Sequence, residues 1–297
     1  MLEDLNLRRR YDGFLFLAEA ARNPPVLRSH RHEELELNVV VRGTITYLSG
    51  SRRFTFGQRT LIWMFPSQEH QLVDRSGDAQ YYVAVFKPAL IRAACRGTGY
   101  RDLRRRRVAL DGLLHAALPP ESFDLVRRVM DTMVEDGLNP DILNREAGFG
   151  VSANFRFEHR DPDGLNAGLR HLLLLCWRYF RKEQQPATAV ALHPAVSKAI
   201  TLLSEDEWDQ SFAALAGRCH VSEAYLSRIF KKQIGVPLNR YRNSARLGRF
   251  LELYRAPTQK TLAEAVYAAG FGSYAQFYKV FTQAYGRGPR EVLTPRR

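Results

Sequence analysis

Cysteine is scarce, with three in 297 residues and no CxxC pair among Cys95, Cys176 and Cys219. That excludes a disulfide framework and a thiolate zinc site, and leaves idle or buried thiols in a reducing compartment as the expectation. Long apolar runs are missing too. The most apolar helical stretch, "HLLLLCWRYF" from His171, is about half the length that a membrane span needs. The N-terminus sets acids ahead of its basic run, unlike a signal peptide. A cytoplasmic protein with no membrane partner is expected. No phosphate-binding glycine loop, nucleophile elbow or zincin motif occurs. Nothing therefore asks for an enzyme, and no cofactor is expected. Acids are the minority charge: 44 Lys and Arg stand against 31 Asp and Glu, a formal +13. A polyanionic partner follows, nucleic acid ahead of a membrane surface.

What is present changes character along the chain. From Phe14 to about Lys87, "FLFLAEA", "LELNVVV", "TITYLSG", "RRFTF", "TLIWMF" and "YYVAVFK" are short β-rich runs. Gly43, Gly50, Gly57, Pro66 and Gly77 fall between most of them, the pattern of a sandwich or barrel. Helical spacing follows. "PESFDLVRRVMDTMVED" aligns Phe123, Val126, Val129, Met130 and Met133, and the helix after it aligns Leu165, Leu169, Leu172, Leu173, Cys176 and Phe180. Between them "GFGVSANFRFEH" alternates like a strand or hairpin without a clear place. "QQPATAVALHP", from Gln184, reads as a linker, and the basic cluster Arg101 to Arg107 as a solvated loop ahead of a phosphate contact.

The last hundred residues carry one pattern twice. Ser222, Leu226, Phe230 and Gly235 recur as Ser273, Phe277, Phe281 and Gly286, each 51 residues later. In each copy a serine caps a helix, two apolar residues share one face, and a glycine ends the helix in the left-handed region. A short apolar-periodic helix precedes each copy, "SFAALAGRC" and "TLAEAVYAAG". Helix, tight turn and capped second helix make a helix-turn-helix, here in duplicate. With the apolar residues inward, Ala224, Ser227, Arg228 and Lys231 face outward in the first copy. Ala275, Tyr278, Lys279 and Thr282 do so in the second, with Tyr274 and Gln276 near the helix start. Arg228 suits a bidentate contact to guanine, and the small alanines allow close approach to bases. A helix of about nineteen residues between the copies would span roughly 28 Å, near one turn of DNA at about 34 Å. Residues 192–297 hold 16 Lys and Arg against 8 Asp and Glu, so the basic excess lies where the motif is.

"VSEAYLSRIFKKQIG" and "AGFGSYAQFYKVFTQAYGRGP" resemble the two signature segments of the AraC/XylS family of bacterial transcription regulators, over about 105 residues. The resemblance implies a DNA-reading role for Arg228 and Lys279, with Ser227 and Gln276 beside them. It also implies activation rather than repression, contact with RNA polymerase, and a firmer grip on DNA by the first motif. Ala265 and Val266 replace the usual isoleucine and alanine, and Val292 and Leu293 stand where a tyrosine-arginine pair is common.

One β-rich segment carries chemistry. In "HRHEELELNVVVRG", His30, His32, Glu34, Glu36, Asn38 and Val40 have one parity and share a strand face. Imidazoles and a carboxylate converging inside a barrel suit a transition metal. H-x-H-x3-E-x6-G resembles the first cupin motif and His70 the histidine of the second, although "FPSQEHQL" lacks the proline-glycine step. AraC-type regulators with such a domain bind organic effectors, so an organic pocket of His30, His32, Glu36, Asn38, Trp63 and His70 is expected ahead of a metal site. Its ligand would be small and polar, a carbohydrate being the first candidate.

The expected fold is α+β. A cupin-like double-stranded β-helix (1–110) precedes a helical support and dimerisation segment (111–185) and an all-α double helix-turn-helix domain (192–297). The expected function is sequence-specific control of transcription through double-stranded DNA and a small effector, as a homodimer. The rivals are a metal-dependent cupin enzyme or metal sensor fused to a DNA-binding module, and a constitutive DNA binder.

Overall fold

The computed structural model describes residues 5, 7–20, 29–104, 112–138, 157–184, 190–204, 211–255 and 260–293. Most of "GFGVSANFRFEH" and Arg105 to Arg107 lie outside them. The architecture is mixed α and β, with antiparallel sheets first and helices after.

Eight strands build the N-terminal part: β1 (Gly13–Glu19), β2 (Leu35–Arg42), β3 (Ile45–Ser49), β4 (Arg52–Phe56), β5 (Thr60–Met64), β6 (Gln71–Arg75), β7 (Gln80–Phe86) and β8 (Leu114–Ala117). One sheet runs β1-β7-β2-β5-β8. The other runs β4-β3-β6 and gains β11 (Val190–Ala191) beside β4. Residues 190–191 were expected in a linker. Instead they pair with Arg53 and Arg52, and Leu192 N–H donates to the Ser51 carbonyl at 3.0 Å. Backbone groups at an open sheet edge bond any extended segment that reaches them.

β2 is buried on both faces, because helices cover the outside of its sheet. These are α2 (Pro120–Glu135) and α3 (Pro162–Glu183), the latter capped by Asp161 accepting from Gly164 N–H. Both pack on β1. Gly13 makes room there, since a Cβ on it would meet the Val85 carbonyl oxygen at 1.9 Å and Leu169 at 3.3 Å. Leu165, Leu169, Leu172, Leu173, Cys176 and Phe180 all lie buried in this core. The stripe expected to offer a dimer surface is therefore spent inside one chain. A short helix α1 (Pro88–Ala94) follows β7, and two-residue strands β9 (Gly137–Leu138) and β10 (Glu158–His159) pair between α2 and α3.

The helical part comprises α4 (Pro194–Ser204), α5 (Phe212–Arg218), α6 (Glu223–Ile234), α7 (Leu238–Arg255), α8 (Leu262–Ala268), α9 (Tyr274–Tyr285) and α10 (Pro289–Val292). It has two cores. Leu215, Leu226, Phe230, Ile234, Leu238 and Tyr241 belong to the first. Leu247, Phe250, Leu251, Val266, Phe277 and Phe281 belong to the second. Helix α7 thus contributes its first half to one core and its second half to the other. The β part docks on the first core. Leu48 of β3 is buried within it, and the Tyr241 hydroxyl donates to Gln71 Oε1 of β6 at 2.8 Å in a buried position. Among the described residues no helix is long and apolar enough to cross a membrane.

Candidate functional site

The duplicated motif folds as its spacing dictates. The Ser222 and Ser273 hydroxyls accept from the N–H groups of Tyr225 and Gln276. Gly235 and Gly286 end α6 and α9 at φ +91° and +66°, a region open to glycine at little cost. Leu226 and Phe230, like Phe277 and Phe281, are buried. Ala224, Ser227, Arg228 and Lys231 are exposed along α6, and Tyr274, Ala275, Tyr278 and Lys279 along α9. Thr282 is only half-exposed. The Arg228 guanidinium lies over the Tyr225 ring at 5.5 Å, which restrains it on the outward face.

The two copies differ at their turns. From cap to cap, Ser211 to Ser222 is one residue shorter than Thr261 to Ser273. Gly272 lies in the longer turn, and Gln276 Oε1 accepts its N–H at 3.1 Å. The side chain of Gln276, a candidate reader from its place near the start of α9, is half-buried and engaged in closing the motif.

The second site lies between the sheets. Register places Glu36, Asn38 and Val40 opposite Val85, Val83 and Tyr81, so these residues share the inner face of their sheet. His30 and His70 bridge two backbone segments through reciprocal N–H to carbonyl bonds of 3.0 and 2.9 Å. Their ring centroids are 4.3 Å apart, and that of His32 is 5.4 Å from His70. His32 Nε2 is 3.0 Å and His70 Nε2 3.6 Å from the same Glu36 oxygen, Oε2. Asn38 Nδ2 donates to the other oxygen at 2.5 Å. Burial would raise the Glu36 pKa, but the two imidazoles beside it, His32 hydrogen-bonded and His70 next to it, outweigh burial and hold the carboxyl well below its ordinary value. The carboxylate is ionised. His30, His32 and His70 each offer a ring nitrogen within 4.8 Å of the others, a donor set that a metal ion fits.

Trp63 is not part of this cluster. It pairs with Leu37, one position out of phase with Glu36 and Asn38. Its ring packs toward α3, with Trp177 at 5.6 Å and Phe86 at 6.3 Å. The same-parity rule that grouped the histidines, applied across β2 and β5, excludes it. Tyr47 went unnoticed in the sequence and lies near the cluster, its ring 6.3 Å from His70. Burial first, and then the Glu36 charge, push its phenol well above the ordinary value, so it stays protonated. All three cysteines are buried and free.

Two parts of the chain match known families. Residues 15–147 match the AraC-like ligand binding domain family, and residues 215–294 a helix-turn-helix domain family. The chain is 24% identical over 264 residues to YfiF, an uncharacterized HTH-type transcriptional regulator of Bacillus subtilis (strain 168), covering 88% of this chain and 76% of that one. Among solved structures, unsaturated fatty acid bound ToxT from Vibrio cholerae aligns with a TM-score of 0.36 at 13% identity, covering 96% of each chain. The AraC-like transcriptional activator CuxR aligns with a TM-score of 0.33 at 13% identity, covering 88% of this chain and 83% of that one.

Proposed function

This chain belongs to the AraC family of DNA-binding transcriptional regulators and carries a ligand-binding domain, and we propose that α6 and α9 are its reading helices for successive major grooves. The observation that carries this reading is the pair of capped helices with Ala224, Ser227, Arg228, Lys231, Tyr274, Ala275, Tyr278 and Lys279 in solvent. Arg228 and Lys231 have different tasks. Arg228→Ala is expected to cost about 1–3 kcal/mol of specific binding and to relax preference at one base pair. Lys231→Ala weakens binding to all sequences alike and flattens its salt dependence. Footprints and affinities unchanged in both variants would reject the face.

The effector is a small polar molecule, a carbohydrate in the first instance, received by His30, His32, Glu36, Asn38 and His70. Support comes from two buried atoms without a hydrogen-bond partner, Asn38 Oδ1 and His70 Nε2. Such atoms are costly unless a ligand or water meets them. The β part, with the helices packed on it, senses, and the segment from 192 onward binds DNA. The protein acts as a cytoplasmic, homodimeric, non-enzymatic activator that engages RNA polymerase. Sedimentation of the full chain measures the dimer.

A further inference from the structure

We propose that the two reading helices select different kinds of base, and that Tyr274 and Tyr278 on α9 recognise thymine by packing on its C5 methyl group. The proposal rests on the reading of α9 as a helix that enters the major groove, and names what it selects there.

The duplication supplies the contrast. Matched positions lie 51 residues apart, so Tyr278 stands where the first copy has Ser227, and Tyr274 where it has Glu223. Helix α6 exposes three cations, Arg228, Lys231 and Lys232, whereas α9 exposes one, Lys279. Apolar surface is distributed the other way. Among the described residues five large apolar side chains are exposed, and three of them, Tyr267, Tyr274 and Tyr278, belong to the second motif. The first motif has none, so the two faces offer DNA different chemistry.

Tyr274 and Tyr278 are four residues apart and share one face of α9, with ring centroids separated by 6.4 Å. Tyr274 opens the helix, the end from which such helices reach base edges. Both rings are braced. A Cβ on Gly288 would meet the Tyr278 hydroxyl oxygen at 3.1 Å and Cε2 at 3.4 Å, so the ring lies across a residue without a side chain. The Tyr274 ring stands 5.7 Å from that of buried Phe277. Side chains already held in place lose little freedom on docking. What remains exposed, 38% of Tyr274 and 46% of Tyr278, faces the same way as Ala275 and Lys279. In the major groove thymine alone presents an apolar group, its C5 methyl, beside hydrogen-bonding edges. A ring laid on that methyl takes both out of water, which is worth about fourfold in affinity for each methyl. Arg228 on α6 has the opposite aptitude, a fork of donors that fits guanine.

The test uses duplexes selected by the full chain from a random-sequence library and resynthesised with deoxyuridine for thymidine in one half-site at a time. Uracil keeps the O4 acceptor and loses only the methyl. Arg228→Ala marks the α6 half-site by its relaxed base preference there. Expected are thymines in the other half-site, a loss of about fourfold for each methyl removed from it, and no comparable loss in the α6 half-site. The loss should be equal at low and high salt, because a methyl contact releases no counterions. Phenylalanine at both 274 and 278 keeps the discrimination, and alanine at both erases it. Tyr267→Ala, off the reading helix, leaves it intact. Equal binding of thymine and uracil duplexes by the parent chain, with the α9 half-site protected, would overturn the proposal and leave α9 a reading helix. No protection of a second half-site would overturn both. An alanine pair that still discriminates uracil, or that binds DNA as the parent does and fails only in activating transcription, would give the tyrosines another role, in the latter case a protein partner. Where the alanine pair fails to fold, the uracil duplexes with the parent chain decide alone.

Discussion

Leu169→Glu is expected to destroy the folded N-terminal part rather than to release a folded monomer. Leu169 is fully buried, and its Cδ1 reaches within 3.3 Å of where a Cβ on Gly13 would stand. Losing a buried leucine costs about 2–5 kcal/mol. A carboxylate left in its place without a partner adds several more. Domain stabilities are about 5–15 kcal/mol, so little or none remains. Circular dichroism should lose its cooperative melt, and sedimentation should show unfolded or aggregated chain. Leu169→Met, which keeps volume, should lose less than about 1.5 kcal/mol. A well-folded monomer carrying glutamate would mean that this face of α3 is an interface after all.

Phe250→Ala is expected to remove one half of the DNA footprint and spare the other. The Phe250 ring is buried against Phe277 at 4.4 Å and meets Tyr254 at 5.6 Å and Phe281 at 6.3 Å. Truncating such a ring costs about 3–5 kcal/mol, a large share of what a unit this small possesses. The α9 reading helix is built on that core. The α6 helix rests on Leu226, Phe230 and Ile234, which belong to the other one. Footprinting should therefore lose the α9 half-site, and limited proteolysis should cut first beyond α7. Protection across both half-sites with a parental melt would refute the division.

Legibility followed how far each signal depends on tertiary partners. The duplicated serine, apolar and glycine positions came through because caps and left-handed ends are local chemistry. The histidines were singled out by parity and cupin-like spacing, yet His30 and His32 lie ahead of β2, separated from it by bends at Glu33 and Glu34, and His70 reaches them from a separate segment through the His30–His70 bridge. Trp63 was misplaced because its face depends on the register of β2 against β5, which no single strand displays. Strands β6 and β11 were missed for a related reason: "QLVDR" and the residues at 190–191 have little strand pattern of their own and are extended because β3 and β4 offer them edges. Gln276 was offered as a reader because it lies near the start of the second helix, a position that says nothing of where its side chain turns. The extra position lies ahead of the matched part, in the turn that Gln276 closes.

Helix α7 also fixes an angular phase. Leu238, Tyr241 and Ala245 are buried in one core, and Leu247, Phe250 and Leu251 in the other. At about 100° per residue the two sets point roughly 200° apart around the axis. The reading heads therefore hang from opposite sides of one shaft, and residue count along it is a dial. One alanine inserted at 246 turns the second head by about 100° and advances it about 1.5 Å, off the face of the duplex that the first head grips. Four inserted alanines turn it by only about 40°, at the cost of about 6 Å of extra reach. Operators with respaced half-sites should rescue the four-residue insertion and leave the single insertion reading one half-site alone.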